Sequence, residues 1–102
     1  VPDAFFCIND EVAAFCIQIV KSYGFRVPED ISVCGFTSSY ITEVTYPRLT
    51  SVDQNGFEMG KAAARLLINR IEGKEVKEGV VSRVIKTELI IKESTKQLQT
   101  FA

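Results

Sequence analysis

Ala4-Phe5-Phe6-Cys7-Ile8-Asn9-Asp10-Glu11 is the stretch from which the rest of the chain can be read. Its five apolar residues in a row suit a short strand covered on both faces, as in a parallel sheet. Asn9 then stands where a helix N-cap belongs, its side-chain oxygen in reach of the amide of Glu11 or Val12. Asp10 and Glu11 complement the helix dipole in the first turn. Val12, Phe15, Cys16, Ile19, Val20 and Tyr23 follow at helical spacing, and Gly24 is the stop. Ala13, Ala14 and Ile17 widen the apolar stripe, so the helix is expected to rest on its own sheet and on something else.

The alternation continues downstream. Residues 25 to 30 form a turn-rich link around Pro28, and Ile31-Ser32-Val33-Cys34-Gly35-Phe36 reads as a second buried strand ended by Thr37-Ser38-Ser39. A loop from Tyr40 to Arg48 has room for one helical turn and is broken at Pro47. Leu49-Thr50-Ser51-Val52-Asp53 is a third strand. Met59, Ala62, Ala63, Leu66, Leu67 and Ile71 mark a second amphipathic helix that ends at Gly73. Val80 to Ile85 and Leu89 to Ile91 are β-prone, and the polar tail from Ser94 is expected to fray. Strands joined by connections of helical length make an α/β fold: a parallel sheet flanked by helices.

Bulk properties remove several classes of function. With 102 residues the chain is one domain or part of one, and its net charge of −1 gives this stretch no basic footprint for nucleic acid. No apolar run approaches the roughly 20 residues needed to span a bilayer. Val1-Pro2-Asp3 has no initiating Met and no signal-peptide character, so a fragment or processed product is expected. Cys7, Cys16 and Cys34 each sit in an apolar run, without a CxxC pair and without any His. They read as small buried hydrophobes; no metal site is expected, and free thiols point to the reducing cytoplasm.

Parallel sheets bind ligands at the carboxyl ends of their strands. Here those ends offer Asn9, Thr37 and Gln54, short polar groups suited to a neutral polyol or a base. Each has a plainer reading: Asn9 as a cap, Thr37 and Gln54 as ordinary loop polarity. Catalytic residues are not identified. There is no His, no phosphate-binding glycine loop and no G-x-S-x-G elbow. Asp10, Glu11 and Glu88 read as solvated or dipole-complementing carboxylates. The chain is therefore not read as an enzyme, and no cofactor is expected.

Pro2-Asp3-Ala4-Phe5-Phe6-Cys7-Ile8-Asn9-Asp10-Glu11 resembles the "PDAIFAANDE" segment of lactose-repressor-type (LacI/GalR) transcriptional regulators. Arg26-Val27-Pro28-Glu29-Asp30-Ile31-Ser32-Val33, followed by Cys34-Gly35-Phe36, is similar to their "RVPEDISVVGFD". Pro47-Arg48-Leu49-Thr50-Ser51-Val52-Asp53-Gln54 is similar to "PPLTTVRQ", with Met59-Gly60 continuing it. Thr87-Glu88-Leu89-Ile90-Ile91-Lys92-Glu93-Ser94-Thr95 is similar to the closing "TELVVREST". These motifs run in order over nearly the whole chain and correspond to the last third of a family member.

The resemblance implies the carboxy-terminal part of a two-lobed, periplasmic-binding-protein-like (type I) core that closes on a small effector such as a sugar. Residues 1–54 would lie mainly in the carboxy-terminal lobe and 55–86 mainly in the other, with 87–102 as return strand and tail. Operator DNA would be read by an amino-terminal helix-turn-helix that is expected to be absent here. Asn9, Thr37 and Gln54 fall on effector-contacting positions. Ala13, Ala14 and Ile17, with Thr45 and Tyr46 in the segment 42–47, fall on the homodimer seam. Thr37 departs from the family, which usually has Asp after "GF"; a neutral hydroxyl bonds more weakly and points away from a simple pentose or hexose. The alternative is a periplasmic sugar-binding protein for transport or chemotaxis. The free cysteines and "RVPEDISV" favour a cytoplasmic regulator.

Overall fold

The computed structural model describes residues 1–74 and 82–97. Four strands make one sheet in sequence order: β1 (Ala4–Phe6), β2 (Ser32–Thr37), β3 (Thr50–Asp53) and β4 (Glu88–Ile90). β1, β2 and β3 run parallel, with Phe5 opposite Val33 and Phe36 opposite Val52. β4 closes the sheet antiparallel, with Leu89 opposite Val52. Helix α1 (Asp10–Ser22) crosses from β1 to β2, the single turn α2 (Ile41–Val44) precedes β3, and α3 (Gly56–Ile71) follows it. The α/β class and the main elements match expectation. The strand expected over Val80 to Ile85 does not: Ser82 to Ile85 carry no strand, and residues 80–81 lie outside the described residues.

Helix α1 is seated on a face other than the expected one. Asp10, Ala13, Ile17 and Val20 are its buried residues, at the spacing of one helical stripe. Val12, Phe15, Ile19 and Tyr23, expected in the core, are 46–78% exposed. The helix is apolar on nearly every side, so periodicity alone does not choose a face. Size does. Ala13 is small enough to sit against Gly35, where an added Cβ would lie 3.3 Å from the alanine methyl. Ile17, Val33 and Leu49 complete a dry centre at 0–1% exposure, each contributing about 1.5–3 kcal/mol of burial. Gly24, at φ +86°, turns the chain out of α1 in the left-handed conformation that glycine adopts cheaply.

Among the described residues only one face of the sheet is covered. β2 alternates buried Val33 and Gly35 with half-buried Cys34 and Phe36. The expectation of a first strand covered on both faces fails. β1 is an edge strand whose three residues are all exposed, Phe6 at 69%. Helix α3 has no buried residue.

The carboxy-terminal segment is clamped at Ser94, which corrects the expected fraying. Ser94 is fully buried; its hydroxyl donates to the Val33 carbonyl (2.5 Å) and accepts from the Thr50 amide (2.8 Å). Thr95 shares a 2.8 Å hydroxyl contact with Thr50. Arg48 holds Glu93 through two bonds of 2.6 and 3.1 Å. Residues 98–102 lie outside the described residues. The cysteines are free thiols, Cys7 buried and Cys16 and Cys34 half-buried. Burial, reinforced by neighbouring Cys16, pushes the Cys7 thiol up to about 11.

Candidate functional site

The three parallel strands end on one edge of the sheet, and the residues expected to form a site stand there. Asn9 follows β1 and caps α1: its Oδ1 accepts from the Val12 amide at 2.8 Å, while its carbonyl accepts from Ala13 at 3.0 Å. With the oxygen engaged, the amide NH2 remains as the group available to a ligand. Thr37 ends β2 and Gln54 follows β3, and these two are brought together. Gln54 Nε2 donates to Thr37 Oγ1 at 2.9 Å, which leaves the threonine proton and the glutamine oxygen unengaged by that bond. Among the described residues no hydrogen bond joins Asn9 to this pair.

Thr37 adopts φ +121° and Ser38 φ +61°, both in the region favoured by glycine. For a β-branched residue this is a real outlier, costing about 1–3 kcal/mol. It persists because the following residues are held from beneath. The Ser38 amide donates to Ser51 Oγ at 3.0 Å, and the Ser39 amide donates to Asp10 Oδ2 at 2.6 Å. Ser51 Oγ in turn donates to Asp10 Oδ1 at 2.5 Å.

Asp10 was expected to be solvated; it is 1% exposed. Two donors and the positive end of α1 compensate its burial. Room for it comes from Gly35, where any Cβ would sit 2.5 Å from Oδ1. Sequence reasoning missed this carboxylate together with Ser39 and Ser51. The usable signal was the glycine inside an otherwise bulky buried strand, which marks a close approach. The same carboxylate, after burial, raises the Cys34 thiol above its usual range.

Next to the sheet edge the chain leaves β3 and returns to β4. Asp53 Oδ1 accepts from the Asn55 amide at 2.8 Å, and Asn55, itself left-handed at φ +53°, donates through Nδ2 to the Lys86 carbonyl at 2.6 Å. The outgoing and returning segments are thereby tied side by side.

A second feature lies between α1 and α2: a groove of about 570 Å3 whose lining includes Ala14, Phe15, Tyr40, Val44, Thr45 and Tyr46. Phe15, Tyr40, Val44 and Tyr46 are 63–84% exposed. Ala14, Thr45 and Tyr46 thus stand on the surface where a seam was expected. Ala13 and Ile17 do not, at 0% and 1% exposure: the chain's own sheet covers them, because the small face of α1 is the one that fits it.

Comparison with known proteins adds a family context. Residues 1–95 match the family model described as "Periplasmic binding protein-like domain". The chain is 38% identical over 97 residues to the HTH-type transcriptional repressor CytR of Escherichia coli, covering 95% of this chain and 28% of that protein. It therefore spans about a quarter of the length of such curated relatives. Among solved structures, a transcriptional regulator CelR–cellobiose complex superposes with TM-score 0.85 at 37% identity, over 90% of this chain and 28% of that one. A lac repressor dimer bound to operator and an anti-inducer gives TM-score 0.83 at 26% identity, over 93% and 32%.

Proposed function

Since this chain belongs to the periplasmic binding protein-like domain family, in the form shared with lactose-repressor-type transcriptional regulators, we propose that it is the effector-sensing and dimer-forming part of such a regulator. Asn9, Thr37 and Gln54 contact a small effector at the strand ends. The observation that carries this reading is the Thr37–Gln54 bond, built on a strained backbone that the fold maintains at the edge where α/β sheets take ligands. A cellobiose complex of a structural neighbour supports a sugar or related metabolite as the effector class.

Residues 1–54 form most of one lobe, residues 55–86 contribute to the other, and residues 87–102 make the return strand and tail. The Asn55–Lys86 tie and the absence of any buried residue on α3 support a lobe boundary there. Effector binding shifts the population of lobe arrangements and so the geometry of a DNA-reading head elsewhere in the intact protein. Such a regulator works in the cytoplasm, as a homodimer, with no catalytic step of its own. Relatives named as transcriptional repressors favour this over a transport binding protein.

The test is a thermal-shift screen of the intact protein against sugars, sugar phosphates and nucleobases, then titration of the strongest stabiliser into two variants. Thr37→Asp restores the carboxylate usual in the family, favouring polyhydroxy ligands and weakening an anionic one by about 1–3 kcal/mol. Gln54→Ala removes the partner of Thr37. Affinities within about twofold of native in both variants, less than one ordinary hydrogen bond, place the pocket elsewhere.

A further inference from the structure

Thr37 would not hold its conformation unaided, and the groups that impose it radiate from one side chain. We infer that Asp10 is a positioning residue for the ligand site: it fixes the left-handed turn after β2 and thereby aims the Thr37 hydroxyl. The inference rests on the site reading above, in which Thr37 meets the effector.

The geometry leaves little else for this carboxylate to do. It is buried at the base of the site, and both of its oxygens are engaged. Oδ2 takes the Ser39 amide, and Oδ1 takes the Ser51 hydroxyl, whose oxygen receives the Ser38 amide. One carboxylate thus fixes, directly or through one hydroxyl, the two residues that follow Thr37. A chain turned in this way presents Thr37 Oγ1 to Gln54 across the end of β3. Because Asp10 is also the first residue of α1, immediately after Asn9, the same group fixes two strand-end contacts relative to each other. A neutral amide in its place would turn an NH2 toward either the Ser39 amide or the Ser51 hydroxyl. At the Ser39 amide it would set donor against donor, while the serine hydroxyl can reverse its own bond, so an amide can keep both contacts and only the loss of both oxygens removes them.

Selectively labelled intact protein tests this by NMR, without any ligand. The three-bond HN–Hα coupling of Thr37 is small at its native positive φ and large for an ordinary strand residue. In Asp10→Ala, which removes both oxygens, it is expected to rise to the strand value, with amide exchange at Ser38 and Ser39 about tenfold faster, the equivalent of one lost hydrogen bond. Exchange at the core residue Val33 stays native. Should Asp10→Ala not fold, Ser51→Ala cuts the Ser38 branch alone and carries the same expectation for Thr37 and Ser38. A native Thr37 coupling in every variant that folds overturns the positioning role. That outcome leaves the pocket assignment standing, because the pocket is judged separately by the Gln54→Ala titration.

Discussion

Gly35 and Asp10 approach so closely that a single methyl group on the glycine would lie 2.5 Å from the carboxylate oxygen Oδ1. The carboxylate cannot swing aside without dropping the Ser51 and Ser39 bonds, and the same methyl would also meet Leu49 at 3.0 Å. Gly35→Ala is therefore expected to destabilise the fold by about 1–3 kcal/mol, the ordinary cost of overfilling a packed centre. Urea denaturation checks it; a loss below about 0.5 kcal/mol would show that the strand can back away.

Ser94→Ala removes the hydroxyl that joins the Thr50 amide to the Val33 carbonyl and leaves two buried polar groups short of a partner. A loss of about 1–3 kcal/mol is expected, large for the deletion of one oxygen. Thr95→Ala, at a half-buried position, serves as the milder comparison. Equal effects in the two variants would contradict the clamp.

The Cys7 thiol is held protonated, first by burial and then by Cys16, up to about 11 against an ordinary value of 9.0. The folded state thus keeps a proton that the unfolded state releases. This contribution is complete below pH 9 and is lost as pH rises toward 11. Stability measured across that interval should fall less steeply in Cys7→Ala than in native protein. Parallel curves would remove Cys7 from the account. At the acid end, Glu43 is held below the usual carboxylate range by Lys92 and Arg48, and Glu93 by Arg48. Their stabilisation is present above about 4.5 and disappears as pH drops through the lowered values; both groups are exposed, so added salt should flatten this limb.

Ala14 lines the groove between α1 and α2. Ala14→Arg in the intact protein is expected to give monomers in sedimentation velocity, since an arginine would enter the centre of an isologous contact. A dimer unchanged in mass and affinity would assign the exposed Phe15, Tyr40 and Tyr46 surface to another role.

Much of the architecture was legible in the residues themselves. Short apolar runs, a cap at Asn9 and a glycine at position 24 mark strand, helix and stop by local chemistry, so β1, α1 and β2 emerge within a residue or two. The strand-end positions of Asn9, Thr37 and Gln54 were legible from topology, because strand ends in a parallel sheet are few. The seating of α1 was not, for a helix apolar on nearly all sides carries no phase. Asp10 and Ser94 were misread for a different reason. A carboxylate in a first turn and a serine near a polar tail look solvated until distant partners, Ser39 and Ser51 for one, Val33 and Thr50 for the other, are brought against them.

Helix α3 runs for sixteen residues without burying one, and a helix of that length in water is marginal on its own propensity. Opening it therefore costs little of the free energy that unfolds the sheet. In deuterium exchange of this chain, α3 should behave as a tethered peptide, its amides replaced orders of magnitude sooner than those of Val33 or Ser51. Its exchange rate is then a gauge of whatever surface docks against it, since any partner that settles on Phe57, Leu67 or Ile71 must slow those amides first.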